Sequence, residues 1–304
     1  MKAESKQLEQ RVVRVPSRPL LGIHISLGIP ISKLISKIVI LLILSVGAVV
    51  VMLPLAWMIS TSLKTMGQVP VFPPIWIPDP ILWKNYPEAL TFIPFGRYTL
   101  NSLKVVLFSG AGVLISCSLV AYGFARFRAP GLDILFLVLL STIMLPPQVT
   151  LIPVYLLFDR LDWIDTLKPL IVPAFFGNAY DVFLLRQFFM TIPLEMDDAA
   201  RIDGCGPLGI FWRITLPLSK PALATVAIFH FMWAWNDFYS PLIYLHHREN
   251  WTLALGLQGF RQLYSTKVNL LMAASFDAVL PCIVLFFFAL RLFSQGVVIT
   301  GVKG

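Results

Sequence analysis

Three titratable residues lie within or near long apolar segments of the chain: Asp181, His230 and Asp277. Ionisable side chains are costly inside a membrane and usually functional there, because they can carry protons or bind ions and polar solutes. Two carboxyl groups and an imidazole could form a proton relay, as in carriers that are driven by an ion gradient. A plainer interpretation, which we favour, is that these groups line a water-filled path, pair with one another or lie near a membrane surface.

Other residue types that carry chemistry do not form recognisable constellations. The three cysteines, Cys117, Cys205 and Cys282, are far apart in sequence and lack the spacing of a metal site. The phosphate-binding pattern Gly-x-x-x-x-Gly-Lys-Ser/Thr is absent from the sequence. We therefore expect no catalytic residue, no metal site and no cofactor bound by this chain, which excludes an enzyme.

The elements that must position the titratable residues are transmembrane helices. Of the 304 residues, 57% are hydrophobic and 13% are charged, against about 25% charged in an average soluble domain. Apolar segments near 20 residues recur, long enough to cross ~30 Å of hydrocarbon. We predict an all-α, polytopic membrane protein with a transmembrane domain over 38–296. Its six spans lie at about 38–59, 101–125, 133–157, 168–190, 219–245 and 270–294, and Pro146-Pro147 must kink or break the third.

The distribution of charge predicts the orientation of these spans. The formal net charge is +8, and most of the basic residues lie in the N-terminal tail, residues 1–37, or in segments on the same side of the membrane. The positive-inside rule therefore places that tail, the polar loop 191–218 and the C-terminal tail 297–304 in the cytoplasm. The basic residues lack the interleaved aromatic residues of a nucleic-acid surface, so we expect no nucleic-acid partner.

The polar loop separates the fourth and fifth predicted spans, and its residue pattern predicts two short helices joined by a turn. Pro193 suits the start of the first helix, and the helix dipole favours acidic residues in its first turn. Gly204 and Gly206 end that helix, and Pro207 begins the next. One face of the first helix would let another helix approach closely: Met196, Ala199, Ala200 and Asp203. The second helix has an apolar face: Leu208, Phe211 and Trp212.

This loop resembles the cytoplasmic loop that defines the permease subunits of ATP-binding-cassette (ABC) importers. The family pattern is Glu-Ala-Ala, three residues, Gly, nine residues and Ile-x-Leu-Pro. Here Asp198-Ala199-Ala200 is followed after three residues by Gly204, and after nine more by Ile214-Thr215-Leu216-Pro217. Every spacing agrees, and the one departure is Asp198 in place of Glu, which keeps the charge on a side chain shorter by one methylene.

Further segments resemble the carbohydrate-uptake branch of the same family, specifically the maltose-type second permease with six spans. They are residues 121–127 before Pro130-Gly131, residues 144–146, residues 183–189, Trp235-Asn236-Asp237-Phe238 and the terminal residues 301–304. Together with the loop they cover most of residues 50–304. The resemblance implies the type I ABC importer (MetI-like) fold, in which loop 191–218 is a cytoplasmic helix-turn-helix that couples the spans to an ATPase.

The same resemblance implies a function and a set of partners. The chain would be a permease subunit of an ATP-driven, binding-protein-dependent importer of sugars or related polyols, forming half of the translocation path. Its partners would be a homologous second permease, two copies of a cytoplasmic ATPase that bind ATP and Mg, an extracytoplasmic solute-binding protein and the lipid bilayer. It would be a multi-pass protein of a bacterial or archaeal inner or plasma membrane. The residues implied in coupling to the ATPase are Glu195, Asp198, Ala199, Ala200, Asp203, Gly204, Ile214, Leu216 and Pro217.

Contacts with the transported solute are less closely specified. Relatives lead us to expect small or apolar residues where Asp181 and Asp277 stand, and carboxylates accept strong hydrogen bonds from sugar hydroxyls. Our predicted substrate path is Asp181, Trp235, Asn236, Asp237 and Asp277, and the polar segment 246–268 is an outer loop that could touch the binding protein. Two alternatives stay open: an ion- or proton-coupled carrier that uses Asp181, His230 and Asp277, and an importer permease for a non-sugar solute such as glycerol phosphate.

Overall fold

The computed structural model describes residues 31–261 and 267–300, which form helices and connecting segments with no strand among them. The predicted all-α class is thus confirmed for these residues. The α-helices are α1 Ile31–Ser62, α2 Asn85–Phe92, α3 Phe95–Arg126, α4 Leu132–Ser141, α5 Pro147–Arg160, α6 Lys168–Ile171, α7 Ala179–Met190, α8 Leu194–Ile202, α9 Pro207–Ile210, α10 Leu216–Leu218, α11 Lys220–Asn236, α12 Tyr239–Tyr244, α13 Leu253–Gly256 and α14 Val268–Thr300. Residues 1–30 of the predicted N-terminal tail, and residues 301–304, lie outside the described residues.

The chain divides into two units at Pro54, within α1. In the first unit, residues 31–54 are helical, and the side chains from Ile35 onward are exposed. They are mostly Ile, Leu and Val, as expected of a helix that faces lipid. The helix begins at Ile31, inside the segment predicted as tail, because Leu34 and Ile35 continue the apolar pattern toward the N-terminus.

In the second unit, α3 is the central helix, and α7, α11 and the 3₁₀ segment Val172–Phe176 pack around it. Small residues on α3 permit this close packing, as is common where helices meet in membranes. At Gly112, a Cβ atom would lie only 2.7 Å from the ring of Phe175. Ser109 satisfies its hydroxyl within the helix by donating to the carbonyl oxygen of Val105, 2.6 Å away.

Two hydrophobic clusters lie along α3. The first joins α3 to α2, α13 and α14, with Tyr98, Trp235 and Phe260 among its buried residues. The second joins it to α7, α11 and the polar loop, with Leu185 and Phe211 among its buried residues. α3 therefore contributes to the packing at both ends of the second unit.

The third predicted span is broken at the prolines, as expected. α4 and α5 meet at 97° across Leu145 and Pro146. Pro147 is the first residue of α5, where its missing N–H leaves no helical hydrogen bond unmade.

The fourth predicted span, 168–190, is not one helix. It consists of α6, the 3₁₀ segment Val172–Phe176 and α7, and the break before α7 falls at Gly177 and Asn178. Gly177 has φ +77°, which residues with a side chain rarely adopt. The prediction of a continuous helix was wrong because it weighed length and apolar content above the glycine and asparagine, which are turn residues.

The fifth predicted span, 219–245, is also broken. α11 ends at Asn236, and α12 begins at Tyr239 after an interruption at Asp237 and Phe238. By length and composition, three helical segments of the described chain are able to cross a membrane: Ile35–Ser62, Phe95–Arg126 and Val268–Ala289. The number rises to five if α4 with α5, and the segment Pro207–Leu218 with α11, each count as one bent span. The described residues thus supply three to five candidate spans, and the broken segment 168–190 is not among them. The six predicted spans stay a prediction.

Candidate functional site

A cavity of about 610 Å³ lies beside α3, and all three broken spans contribute to its wall. We call it the Asp181 cavity and define it by six of its polar and aromatic lining residues: Asn178, Tyr180, Asp181, His230, Trp233 and Asp237. Most of the remaining lining is apolar, with residues such as Val113 and Phe158. A mostly apolar recess with a few converging polar groups is typical of a small-molecule site.

Asp181 lies in the first turn of α7, and Asn178 caps that helix. The side-chain oxygen of Asn178 accepts a hydrogen bond from the backbone N–H of Asp181, 2.8 Å away, and its amide nitrogen donates to the Asp181 carboxylate. The carboxylate is buried, and the positive end of the α7 dipole stabilises negative charge at this position. The break in the predicted span thus provides a favourable place for an acid in an apolar segment.

His230 faces the same cavity from α11. Its Nε2 atom lies 2.7 Å from the Oγ atom of Ser109 on α3, a hydrogen bond that joins the two helices. The Trp233 ring centroid lies 6.0 Å from that of the imidazole. Asp237 lines the cavity at the end of α11, and its Oδ1 atom accepts a hydrogen bond from the backbone N–H of Ser240, 3.1 Å away, near the start of α12.

The other predicted path residues do not line this cavity. Trp235 is buried against Phe231 and donates from Nε1 to the carbonyl oxygen of Ala278, 2.9 Å away. Asn236 is exposed and donates to the carbonyl oxygen of Met232 in its own helix. Successive residues of a helix point about 100° apart, so neighbours of cavity-lining residues face elsewhere.

Asp277 lies on α14 and is not among the residues that line the Asp181 cavity. Its Oδ2 atom is buried and has no hydrogen-bond partner among the described residues. The structure therefore brings Asp181 and His230 together, with Asp237 added, but does not place Asp277 with them. The three-residue relay considered from sequence is not assembled in this cavity.

The polar loop has the predicted two-helix form. α8 ends in a turn in which the Cys205 N–H donates to the Ala200 carbonyl at 2.8 Å and the Gly204 N–H to the Arg201 carbonyl at 3.0 Å. This is a Schellman motif, which requires a left-handed residue directly after the helix. Gly204 supplies it, with φ +81°.

The residues implied in coupling lie mostly on the surface of this loop. Ala200 is buried against the rest of the unit, and Ile214 and Leu216 are half-buried. The others are exposed: Glu195, Asp198, Ala199, Asp203, Gly204 and Pro217. In the second helix only Phe211 of the predicted apolar face is buried, whereas Leu208 and Trp212 are exposed. The loop thus presents both acidic and apolar side chains on its surface.

Sequence reasoning missed the contact that holds this loop in place. Arg126, the last residue of α3, has its Nε atom 2.9 Å from the Oδ2 atom of Asp197 in α8, and both side chains are almost fully buried. No local signal separates Asp197 from the adjacent Asp198, which is exposed and pairs with Arg201. The helix period alone shows that the two acids must face different directions.

A second polar cluster joins the segments after α5 and after α12. The Asp165 carboxylate accepts hydrogen bonds from the backbone N–H groups of His246 and His247, each at 2.9 Å, and from the His247 imidazole. Burial acts to raise the pKa of Asp165, but these hydrogen bonds outweigh it and hold that pKa well below its usual range. The hydrogen bond to Asp165, with its negative charge, raises the pKa of His247.

The outer segment predicted to meet a binding protein also borders a groove with three arginines. They are Arg97, Arg248 and Arg261, and Glu249 lies 3.6 Å from Arg97. Residues 262–266 of that predicted segment lie outside the described residues. Among the residues that are described, no group of three His, Cys, Asp or Glu side chains is placed to hold a metal ion.

Comparison with known proteins gives a family and several relatives. Residues 115–299 match the family described as binding-protein-dependent transport system inner membrane component. The arabinooligosaccharides transport system permease protein AraQ of Bacillus subtilis is 36% identical over 208 residues, which cover 68% of this chain and 74% of the relative. The diacetylchitobiose uptake system permease protein NgcG of Streptomyces coelicolor is 30% identical over 242 residues, covering 79% of this chain and 80% of the relative.

Two further similarities differ in the named solute. The sn-glycerol-3-phosphate transport system permease protein UgpE of Yersinia pestis is 31% identical over 266 residues, covering 84% of this chain and 93% of the relative. A solved bacterial ABC transporter involved in the import of the acidic polysaccharide alginate superposes with a TM-score of 0.76 at 22% identity, over 86% of this chain and 97% of that one.

Proposed function

The chain belongs to the family of binding-protein-dependent transport system inner membrane components, and from this premise we propose that its cargo is a neutral, hydroxyl-rich carbohydrate that passes the Asp181 cavity. The chain is a permease subunit of an ABC importer, with the MetI-like fold, and a non-catalytic, membrane-spanning component of it. An importer of this class works with a partner permease, an ATPase and a binding protein.

The charge of the Asp181 cavity carries the proposal for the cargo. Two carboxyl groups and one imidazole lie in its wall, and no Lys or Arg lines it among the residues that the structure describes. A phosphate or an acidic sugar in a recess of low polarity needs a cationic partner, because an unpaired buried charge is strongly disfavoured. Sugar hydroxyls instead donate to carboxylates, and the rings of Tyr180 and Trp233, both more than half exposed, offer flat apolar surfaces.

Two relatives named for sugar uptake support this assignment. An ion-coupled carrier is not supported, because the family is one of importer permeases and because Asp277 does not join Asp181 and His230 in the cavity. A second candidate cargo is an anionic solute such as glycerol phosphate. It is favoured by the relative of that name and by the groove with Arg97, Arg248 and Arg261.

We further propose how the partners are arranged. Both termini and loop 191–218 face the cytoplasm, on the side where most basic residues lie. The exposed face of α8 around Asp198 and Ala199 would dock into one of two ATPase copies, which bind ATP and Mg. A homologous second permease would complete the path, and a solute-binding protein would deliver the cargo on the outer side. The spacing of Asp198, Gly204 and Pro217, which agrees with the family's loop pattern, supports this arrangement.

The test measures solute uptake by the full transporter in proteoliposomes, with its binding protein outside, and asks which added solutes inhibit that uptake. Arabino-oligosaccharides and diacetylchitobiose are the neutral competitors, and glycerol 3-phosphate is the anionic one. We expect a neutral saccharide to compete and glycerol phosphate not to. Uptake that only glycerol phosphate inhibits would refute the neutral cargo and favour the second candidate.

A variant of the cavity sharpens the test. Asp181→Asn removes the charge but keeps the capping bond from its own backbone N–H to Asn178. A hydrogen bond to a charged group contributes about 1.5–3 kcal/mol, so sugar uptake at subsaturating concentration should fall roughly tenfold or more. The matched control is Asp159→Asn, an exposed acid on α5 outside the cavity lining. Equal sugar uptake by the two variants would refute a role of Asp181 in binding the cargo.

A further inference from the structure

The last turn of α3 is joined to the polar loop by a buried ion pair outside the family's loop pattern. The side chains of Arg126 and Asp197 are only 3% and 1% exposed, with 2.9 Å between Nε and Oδ2. Arg126 also donates from Nη2 to the carbonyl oxygen of Ile192, 3.1 Å away, just before α8. Separating two buried charges is costly, because neither would gain water in place of the opposite charge. The contact therefore fixes α8 against α3.

A second contact, one helical turn earlier on α3, holds the other helix of the loop. Tyr122 and Arg126 are four residues apart and so lie on the same face of α3. The Tyr122 hydroxyl donates to the carbonyl oxygen of Pro207, 3.0 Å away, and its ring centroid lies 5.1 Å from that of Phe211. Both helices of loop 191–218 are thus attached to one side of α3.

Within residues 31–261 and 267–300, nothing covers the opposite side of α8. Asp198, directly after the buried Asp197, is 64% exposed and pairs with Arg201, itself 57% exposed. Ile202 is 87% exposed. The helix therefore has a face fixed to α3 and a face open to a partner, with one acid of the Asp197-Asp198 pair on each.

The same α3 helix reaches the Asp181 cavity. Ser109, which binds the His230 imidazole, precedes Arg126 on one uninterrupted helix at a distance of about 25 Å, given a rise of 1.5 Å per residue. We propose that the Arg126–Asp197 pair is a fixed joint that makes loop 191–218 and α3 move as one body, so that a displacement of α8 by the ATPase reaches the cavity. Arg126 and Asp197 are positioning residues in this scheme, which rests on the proposed docking of α8.

The first test measures coupling in the complete transporter. Arg126→Gln and Asp197→Asn each remove one charge of the pair. The ATPase should still co-purify and hydrolyse ATP, but the number of sugar molecules imported per ATP should fall about tenfold, and Arg126→Lys should recover part of that ratio. The matched control is Arg128→Gln, an exposed arginine two residues further on. A purely structural loss would lower hydrolysis and import in proportion, so an unchanged ratio in Arg126→Gln overturns the proposal.

A second measurement leaves the pair intact, since a charge deletion can prevent folding. Spin labels at Leu119→Cys on α3 and Ile202→Cys on α8, in a background where the three native cysteines are serine, report the distance between the two helices. We expect it to stay within about 2 Å between the nucleotide-free and ATP-bound transporter, the size of an ordinary helix shift. A larger change in this distance would contradict the proposal that loop 191–218 and α3 move as one body.

The two proposals fail in different ways. If the unmodified chain co-purifies with no ATPase, the proposed docking of α8 fails. If the unmodified chain couples import to hydrolysis and Arg126→Gln couples it equally well, only the joint fails.

Discussion

Gly204 offers the sharpest test of the polar loop, because glycine is needed at this position only for its backbone conformation. Its φ of +81° belongs to the left-handed region, where a residue with a Cβ atom pays roughly 1–2 kcal/mol. No atom lies within 4 Å of the position that a Cβ would take. Gly204→Ala therefore introduces backbone strain without a steric clash.

The size of the expected effect of Gly204→Ala follows from the hydrogen bonds of the turn. The strain weakens the two hydrogen bonds that close α8, from Gly204 to Arg201 and from Cys205 to Ala200. About 1–2 kcal/mol corresponds to a roughly fivefold to thirtyfold increase in the population of the opened turn. Gly204→Asn should show a smaller effect, because asparagine tolerates the left-handed region better than alanine.

Hydrogen exchange of the peptide that covers 200–206 measures this opening in the purified transporter. Gly206→Ala is the matched control, since Gly206 has an ordinary φ of −73° and likewise has no neighbour within 4 Å of its Cβ position. Exchange should quicken fivefold to thirtyfold in Gly204→Ala and change little in Gly206→Ala. Equal exchange in the two variants would refute the left-handed turn at Gly204.

Two further predictions concern packing and pH. In Gly256→Ala the new Cβ would clash with the buried ring of Tyr98. The melting temperature in detergent should therefore drop by an amount that reflects ~1–3 kcal/mol of overpacking. Gly96→Ala, with no atom within 4 Å, should melt normally, and equal melting of the two would contradict this packing. The pKa of His247 is raised by Asp165, so their contact is fully stabilising below the ordinary histidine pKa of about 6.5 and is lost as the pH rises through the raised value. The protection of the His247 backbone amide against hydrogen exchange, corrected for base catalysis, should fall over that pH range. In His247→Gln the protection should not depend on pH. Protection that does not depend on pH in the unmodified chain would refute the contact.

The loop was the part of the fold most fully predicted from sequence, since its signals are local. Gly204 after a short amphipathic segment, and Pro207 at the start of the next, specify a turn between two helices whatever surrounds them. The partner of Asp197 was not predictable in this way. Arg126 lies far away in sequence, and two adjacent acids carry no sign of which one turns inward.

The sequence located most of the helical segments, but two of their breaks were not predicted. Apolar content locates a segment that crosses the membrane, but it is insensitive to a local break when the flanking residues are apolar. Gly177-Asn178 and Asp237 are turn residues inside apolar segments. Giving them more weight than the apolar content would have predicted the breaks before α7 and after α11. The lining of the Asp181 cavity was predicted only in part for a related reason. Trp235 and Asn236 adjoin cavity-lining residues in sequence, but the helix turns them away.

The breaks before α7 and after α11 also bear on how the acids in apolar segments are interpreted, as members of a proton relay or as groups with local hydrogen-bond partners. An acid in the middle of a continuous membrane helix has no local group to stabilise its charge, and its presence there argues for a proton-carrying role. Asp181 instead occupies the first turn of α7, where it is hydrogen-bonded to Asn178 and favoured by the helix dipole. Asp237 accepts a backbone N–H bond at the start of α12. Broken helices at a cavity thus hold both acids in local hydrogen bonds, and their presence requires no proton relay.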